Sequence, residues 1–176
     1  MRVYKGGRMN NFVEKVQELC EAHEKVCMFV DMDGTIVEYT VFESEAEFLK
    51  NIEIFETARP LMTVIDKLKQ LTAIPNLTLY ILTLAKNKAI VEKKKVWLNK
   101  YAPFFDKDKI IILDKESGGY THFNKIFVKT SKISQVMEDT GCDFAMFLDD
   151  NQRLLREAKR QLLDKIQTFH ISTTID

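Results

Sequence analysis

The chain is expected to be an α/β domain built on a parallel sheet, with helices on both faces and a small cap. Two observations predict this. Short apolar runs at residues 26–30, 77–82, 110–113 and 144–148 alternate with stretches of helical periodicity, and strands alternating with helices imply right-handed crossovers. Three of these runs also end next to a polar residue able to do chemistry: Asp31, Thr83 and Asp149. In such sheets ligands bind at the carboxyl ends of the strands.

The elements follow in order. Asn10 or Asn11 can cap a first helix carrying Phe12, Val13, Val16, Leu19 and Cys20 on one side. Residues 1–25 are therefore expected to form an N-terminal helical appendage to a domain over 26–176. The run at 26–30 (VCMFV) reads as a strand buried on both faces. Residues 43–55 are acidic and helical in pattern, with Phe48, Leu49, Ile52 and Phe55 apolar, and 36–57 is expected to form the minimal cap. Pro60 suits the first turn of a helix continued by Leu61, Ile65, Leu68 and Leu71. Residues 87–101 read as a helix stopped before Pro103. A short helix over 131–139 is closed by Gly141, another covers 151–163, and 169–171 is the candidate for a last strand.

Composition excludes several classes. Hydrophobic residues at 45% and charged residues at 30% fit a globular chain and not a disordered one. Lys+Arg and Asp+Glu both number 26, so no global field favours a nucleic-acid polymer or an acidic membrane. The basic triplet Lys93, Lys94 and Lys95 reads as a solvated helix face. No stretch approaches the ~20 apolar residues of a membrane span, and the first ten residues lack the apolar run of a secretory signal. Cys20, Cys27 and Cys142 have no zinc or redox spacing and read as buried thiols in a reducing compartment, so a cytoplasmic location is expected.

The carboxylates carry the chemistry. Asp31 and Asp33 follow one strand, and Asp149 and Asp150 end another. Carboxylates crowded at one sheet edge repel one another unless a cation sits among them. An all-oxygen ligand set suits a hard cation, and Mg²⁺ is the abundant one. A free carboxylate beside such an ion suits phosphoryl transfer. Asp31 is the candidate nucleophile, Asp33 the candidate acid and base, and Thr83 a donor to a phosphoryl oxygen. A lysine must offset the charge. Lys125, Lys129 and Lys132 precede the fourth strand. Lys129 is preferred because it falls just outside a helix start expected near Ser131, with Thr130 or Ser131 as cap; Lys132, in the first turn, is the second choice.

VDMDGT (30–35), ILT (81–83), a lysine near 129–132 and FLDDN (147–151) together resemble the haloacid dehalogenase superfamily of phosphohydrolases. The resemblance implies a three-layer Rossmann-like sheet and Asp31 as nucleophile. It implies Mg²⁺ held by Asp31, the Asp33 carbonyl and Asp149, with Asp150 supporting the metal or the lysine. An acid at Asp33 separates phosphatases from the dehalogenases proper. Phe55, Arg59-Pro60 and the stretch from Lys94 through Trp97-Leu98 and Tyr101 to Pro103 are similar to the 5′(3′)-deoxyribonucleotidase branch, which implies a nucleotide substrate. The 25 residues between Gly34 and Pro60 are too few for the usual cap of that branch. Lys-Thr-x-x-Ile before FLDDN resembles instead the acyl-carrier-associated and protein phosphatase-like members.

The expected activity is Mg²⁺-dependent hydrolysis of a small phosphomonoester. A catalytically idle binding module of the same fold is the alternative from another class. A small cap leaves the site open, to be closed by a large substrate, a homodimer partner or the loop 114–124, where Lys115, Tyr120, His122 and Asn124 are candidate substrate contacts.

Overall fold

A computed structural model describes residues 11–175. The Asn10 alternative for the first cap, and residues 1–10 altogether, lie outside the described residues. Five parallel strands form one sheet in the order β3-β2-β1-β4-β5. They are β1 (Val26–Val30), β2 (Leu77–Ala85), β3 (Ile110–Asp114), β4 (Phe144–Asp149) and β5 (Ile166–His170). Helices α1 (Phe12–Glu21), α4 (Met62–Leu71) and α5 (Lys88–Tyr101) contribute to one core, and α6 (Val128–Thr140) and α7 (Gln152–Leu162) to the other. Two short helices, α2 (Glu45–Lys50) and α3 (Ile54–Thr57), lie in the excursion between β1 and α4.

β1 is central, and all five of its residues are buried. Its continuous apolar run has this cause: successive side chains point to opposite faces, and both faces are covered. Val26, Met28 and Val30 pack with Phe12, Val16, Leu68 and Trp97 on one side. Cys27 and Phe29 pack with Phe147, Ile133 and Leu155 on the other. The chain leaves β1 toward β2 and β3, then crosses back to β4 on the opposite flank. The strand order therefore reverses beside β1, and a crevice opens there at the carboxyl ends of β1 and β4.

α1 begins with a reciprocal cap. The Asn11 side chain accepts from Glu14 N–H at 3.1 Å, and Asn11 N–H donates to Glu14 at 3.2 Å. The excursion after β1 is closed at its base by backbone pairing: Glu38 N–H donates to Arg59 O at 2.9 Å and Leu61 N–H to Ile36 O at 2.8 Å. Pro60, which offers no donor, sits in this base and not in the helix; α4 starts at Met62. The single helix expected over 43–55 is two short ones, because the backbone turns at residues 51–53.

Other boundaries also differ from the sequence expectation. β2 runs on to Ala85, so Thr83 is inside the strand, paired with Ile112 of β3. β5 starts at Ile166, opposite Ala145. α6 starts at Val128 and not near Ser131. Turns closed by Phe127 N–H to Asn124 O at 2.8 Å and Val128 N–H to Asn124 O at 2.9 Å lead into it, and no side chain caps it.

Cysteine pairing overturns the expectation of three free thiols. Cys27 on β1 and Cys142, just after α6, form a disulfide with Cα atoms 6.1 Å apart. Cys20 is the free cysteine, and burial pushes its thiol up to about 11. The cytoplasmic expectation rested on reduced thiols and loses that support. Among the described residues, no helix is long and apolar enough to cross a membrane.

Candidate active site

Asp31 directly follows β1, and its N–H donates to Leu148 O at 3.0 Å, tying it to β4. The chain then turns sharply: Thr35 and Ile36 N–H both donate to Met32 O at 3.0 Å. Gly34 makes this turn possible. Its φ is +78°, and a Cβ there would sit 2.6 Å from Oδ2 of Asp150. The Gly in DMDGT thus lets the turn approach the Asp pair that ends β4.

Asp149 is the last residue of β4 and is fully buried; Asp31 is also buried. Lys129, in the first turn of α6, reaches both, with Nζ 2.8 Å from Asp31 Oδ1 and 2.8 Å from Asp149 Oδ2. The other Asp149 oxygen accepts from Asn151 N–H at 2.8 Å. Carboxylate oxygens of Asp31, Asp149 and Asp150 lie within 4.8 Å of one another. Three carboxylates converging with no nitrogen or sulfur donor fit a hard divalent cation.

The electrostatics follow from this crowding. Burial, then the charge of Asp31, pushes the Asp149 carboxyl up to about 7, although Lys129 opposes the shift. Burial and Asp31 also raise Asp150. Burial alone would lower the pKa of Lys129, but the carboxylates of Asp31 and Asp149 outweigh it and hold the ammonium above its ordinary range.

Asp33 does not join the cluster of carboxylate oxygens. Its Oδ2 accepts from Lys94 at 2.5 Å. Lys94 is 1% exposed, so the expectation that it belongs to a solvated basic face is corrected. The helix stripe explains it: Ile90, Lys94, Trp97 and Leu98 are the buried residues of α5, at helical spacing. Reading the stripe residue by residue, and not the triplet as a charge run, would have placed Lys94 inside. Lys93 and Lys95 do face outward, to Glu53 and Glu56 and to Glu92.

Asp31, Asp33, Thr83, Lys129, Asp149 and Asp150 line one cavity of about 760 Å³. Lys132 points elsewhere, to Gln135 at 3.0 Å on the surface. Of the other expected contacts, Tyr120 and Lys125 line the cavity, whereas Lys115, His122 and Asn124 do not. The excursion contributes an aromatic wall of the cavity, which joins Phe48 and Phe55, expected only as apolar residues of a helix, to Phe42. Phe42 and Phe48 pack at 5.1 Å and Phe48 and Phe55 at 5.6 Å, with Lys86 Nζ 3.8 Å from the Phe48 ring centre. His170 donates to or accepts from Ser172 through Nδ1, and its Nε2 lies 3.0 Å from Asp150 O, which places it behind the Asp pair.

The sheet, with carboxylates at its point of reversal, has a haloacid dehalogenase-like fold, as its likeness to solved structures shows. The HAD domain of effector protein Lem4 from Legionella pneumophila matches with a TM-score of 0.54 at 15% identity, over 84% of this chain and 87% of that one. A chain from Burkholderia xenovorans described as a putative haloacid dehalogenase-like hydrolase matches with a TM-score of 0.51 at 14% identity, over 84% and 82%. At such identities the likeness speaks for the fold. No family model and no curated protein sequence matches the chain.

Proposed function

We propose that the chain is a Mg²⁺-dependent phosphomonoester hydrolase acting through an aspartyl-phosphate on Asp31. One observation carries the reading: Asp31 is held by Lys129 at 2.8 Å, within 4.8 Å of the Asp149 and Asp150 carboxylates, on the floor of an open cavity. The fold shared with a haloacid dehalogenase-like hydrolase supports hydrolysis as the reaction class.

The cation would be held by Asp31, Asp149 and the Asp33 carbonyl, with Asp150 in support. When bound, it offsets the negative charge that otherwise repels a phosphoryl group from these carboxylates. The steps belong to the side chains. A carboxylate oxygen of Asp31 attacks phosphorus as the ester bond breaks, and Asp33 gives its proton to the leaving oxygen. Asp33 then takes a proton from water, whose oxygen attacks phosphorus and releases phosphate, restoring Asp31. Lys129 and the Thr83 hydroxyl hold phosphoryl oxygens through both steps.

The cavity also frames the substrate. Beside the charged floor stand Phe42, Phe48 and Phe55, so the alcohol portion is expected to carry an apolar or aromatic body, of which a nucleotide base is one kind. The test is hydrolysis of an aryl phosphate with Mg²⁺ and with EDTA, followed by a panel of nucleotides, sugar phosphates and phosphopeptides. Turnover unaffected by EDTA would count against the metal, and no turnover on any member against the reading.

A further inference from the structure

We infer that Lys94 is a positioning residue that sets Asp33 and Thr83 in one arrangement; the inference rests on the reading of Asp33 as the acid of this site. Its Nζ makes three hydrogen bonds, to Asp33 Oδ2 at 2.5 Å, Thr83 Oγ1 at 2.9 Å and Leu84 O at 2.9 Å. An ammonium has three donors, so all are committed within the protein.

Each bond has a consequence. The bond to Asp33 occupies one carboxylate oxygen. Oδ1 receives no hydrogen bond among the described residues and is left as the atom to exchange a proton with the leaving group. The bond to Thr83 is accepted by its oxygen, and the Leu84 carbonyl already takes another Lys94 proton. The Thr83 O–H is thereby freed to donate toward a phosphoryl oxygen in the cavity it lines. The two groups are 50 positions apart in sequence, one in the turn after β1 and one within β2, and a single buried cation couples their orientations.

The lysine is itself fixed by its helix. Directly before it, Lys93 bonds to Glu53 at the start of α3 and to Glu56 within α3; one turn after it, Trp97 Nε1 donates to Ala58 O at 2.7 Å. These anchors set the rotation of α5 and so the point where Nζ arrives. A buried lysine with full partners costs desolvation that an apolar side chain at this stripe position would avoid, which favours a functional over a packing role.

The experiment is a double-substitution cycle of Lys94→Met and Asp33→Ala, read with an aryl substrate (p-nitrophenyl phosphate) and an alkyl one (glycerol phosphate). Thermal unfolding of each variant checks that it is folded. Lys94→Met is expected to lower kcat on the alkyl ester ~10²-fold or more and on the aryl ester ~10-fold or less, because only the poor leaving group needs Asp33. In the Asp33→Ala background the Lys94→Met loss should shrink to a few-fold, the part that passes through Thr83. Equal losses on both esters, or the full loss in both backgrounds, would overturn the proposal. Lys94→Gln, which keeps a donor for the Leu84 carbonyl, serves if the Met variant does not fold and should show the same bias. If the wild-type chain hydrolyses neither ester, the functional reading fails on its own. A crystal structure of the lysine variant then decides: Asp33 and Thr83 displaced supports the positioning role, and both unmoved overturns it.

Discussion

Nζ of Lys129 lies 2.8 Å from Oδ1 of Asp31, joining the first turn of α6 to the end of the central strand. The same nitrogen is 2.8 Å from Asp149. One ammonium thus offsets part of the charge of two buried carboxylates from adjacent strands, and on the proposed reading a divalent cation among the three acids would offset the rest.

Lys129→Met should remove that link. Turnover is expected to fall ~10²–10³-fold, comparable to losing an oxyanion contact. Lys132→Met should leave turnover near wild type, since Lys132 bonds to Gln135 on the surface. Steady-state assays of the two variants check this; a silent Lys129→Met with an inactive Lys132→Met would reverse the assignment.

Asp31→Asn should abolish turnover, because an amide is a poor nucleophile. It should not cost folding: the Asp31 charge is one cause of the raised pKa of Asp149, and removing it relieves that repulsion. Activity and thermal unfolding, measured together in EDTA, test both halves.

Asp149 sets a pH dependence. In the metal-free protein its carboxyl is raised from 3.8 to about 7. The folded state therefore binds more protons than the unfolded one between these values, and this group's contribution to stability is lost as pH rises through the window. On the proposed reading, cation binding would oppose the loss. Mg²⁺ should raise the unfolding temperature more at about pH 8 than at about pH 5. A Mg²⁺ shift that is equal at both, or larger in acid, would contradict the site.

Trp97→Phe should destabilise the chain by about 1–3 kcal/mol, since it strands the Ala58 carbonyl while keeping most of the packing. Trp97 is fully buried, and its Nε1 donates to that carbonyl at 2.7 Å. Urea unfolding gives the value; a change of only a few tenths would mean that the carbonyl finds another donor.

The disulfide between Cys27 and Cys142 spans a sequence separation of 115. Converting both to Ala should lower stability by about 2–4 kcal/mol. Dithiothreitol should lower the melting temperature of the wild type and leave the double variant unmoved. A wild type indifferent to the reductant would show that the pair adds no stability.

The acidic site was legible because its residues sit next to strand ends. A parallel sheet collects those ends along one edge, so Asp31 and Asp149 could be grouped from the sequence, with Thr83 near them although it lies inside β2. The helix boundaries near Pro60 and Ser131 were not legible. Backbone pairing between segments distant in sequence decided the first, and the turn at Asn124 just before α6 decided the second.

The alternation of strands and helices, the buried central strand and the carboxylates at its end are written in the linear order of residues. Local periodicity and adjacency encode all three. Packing made the final selection among the lysines, although the stripe of α5 already marks Lys94 and adjacency to a helix start already favoured Lys129. Lys129 and Lys94 are buried while Lys132, Lys93 and Lys95 are not, because the rotation of α6 and α5 against the sheet selects one charged side chain from each cluster. Only the tertiary structure decided that Cys27 meets Cys142 and that Phe42, Phe48 and Phe55 form one wall. These are contacts between distant segments, set by how the layers dock and not by any spacing along the chain.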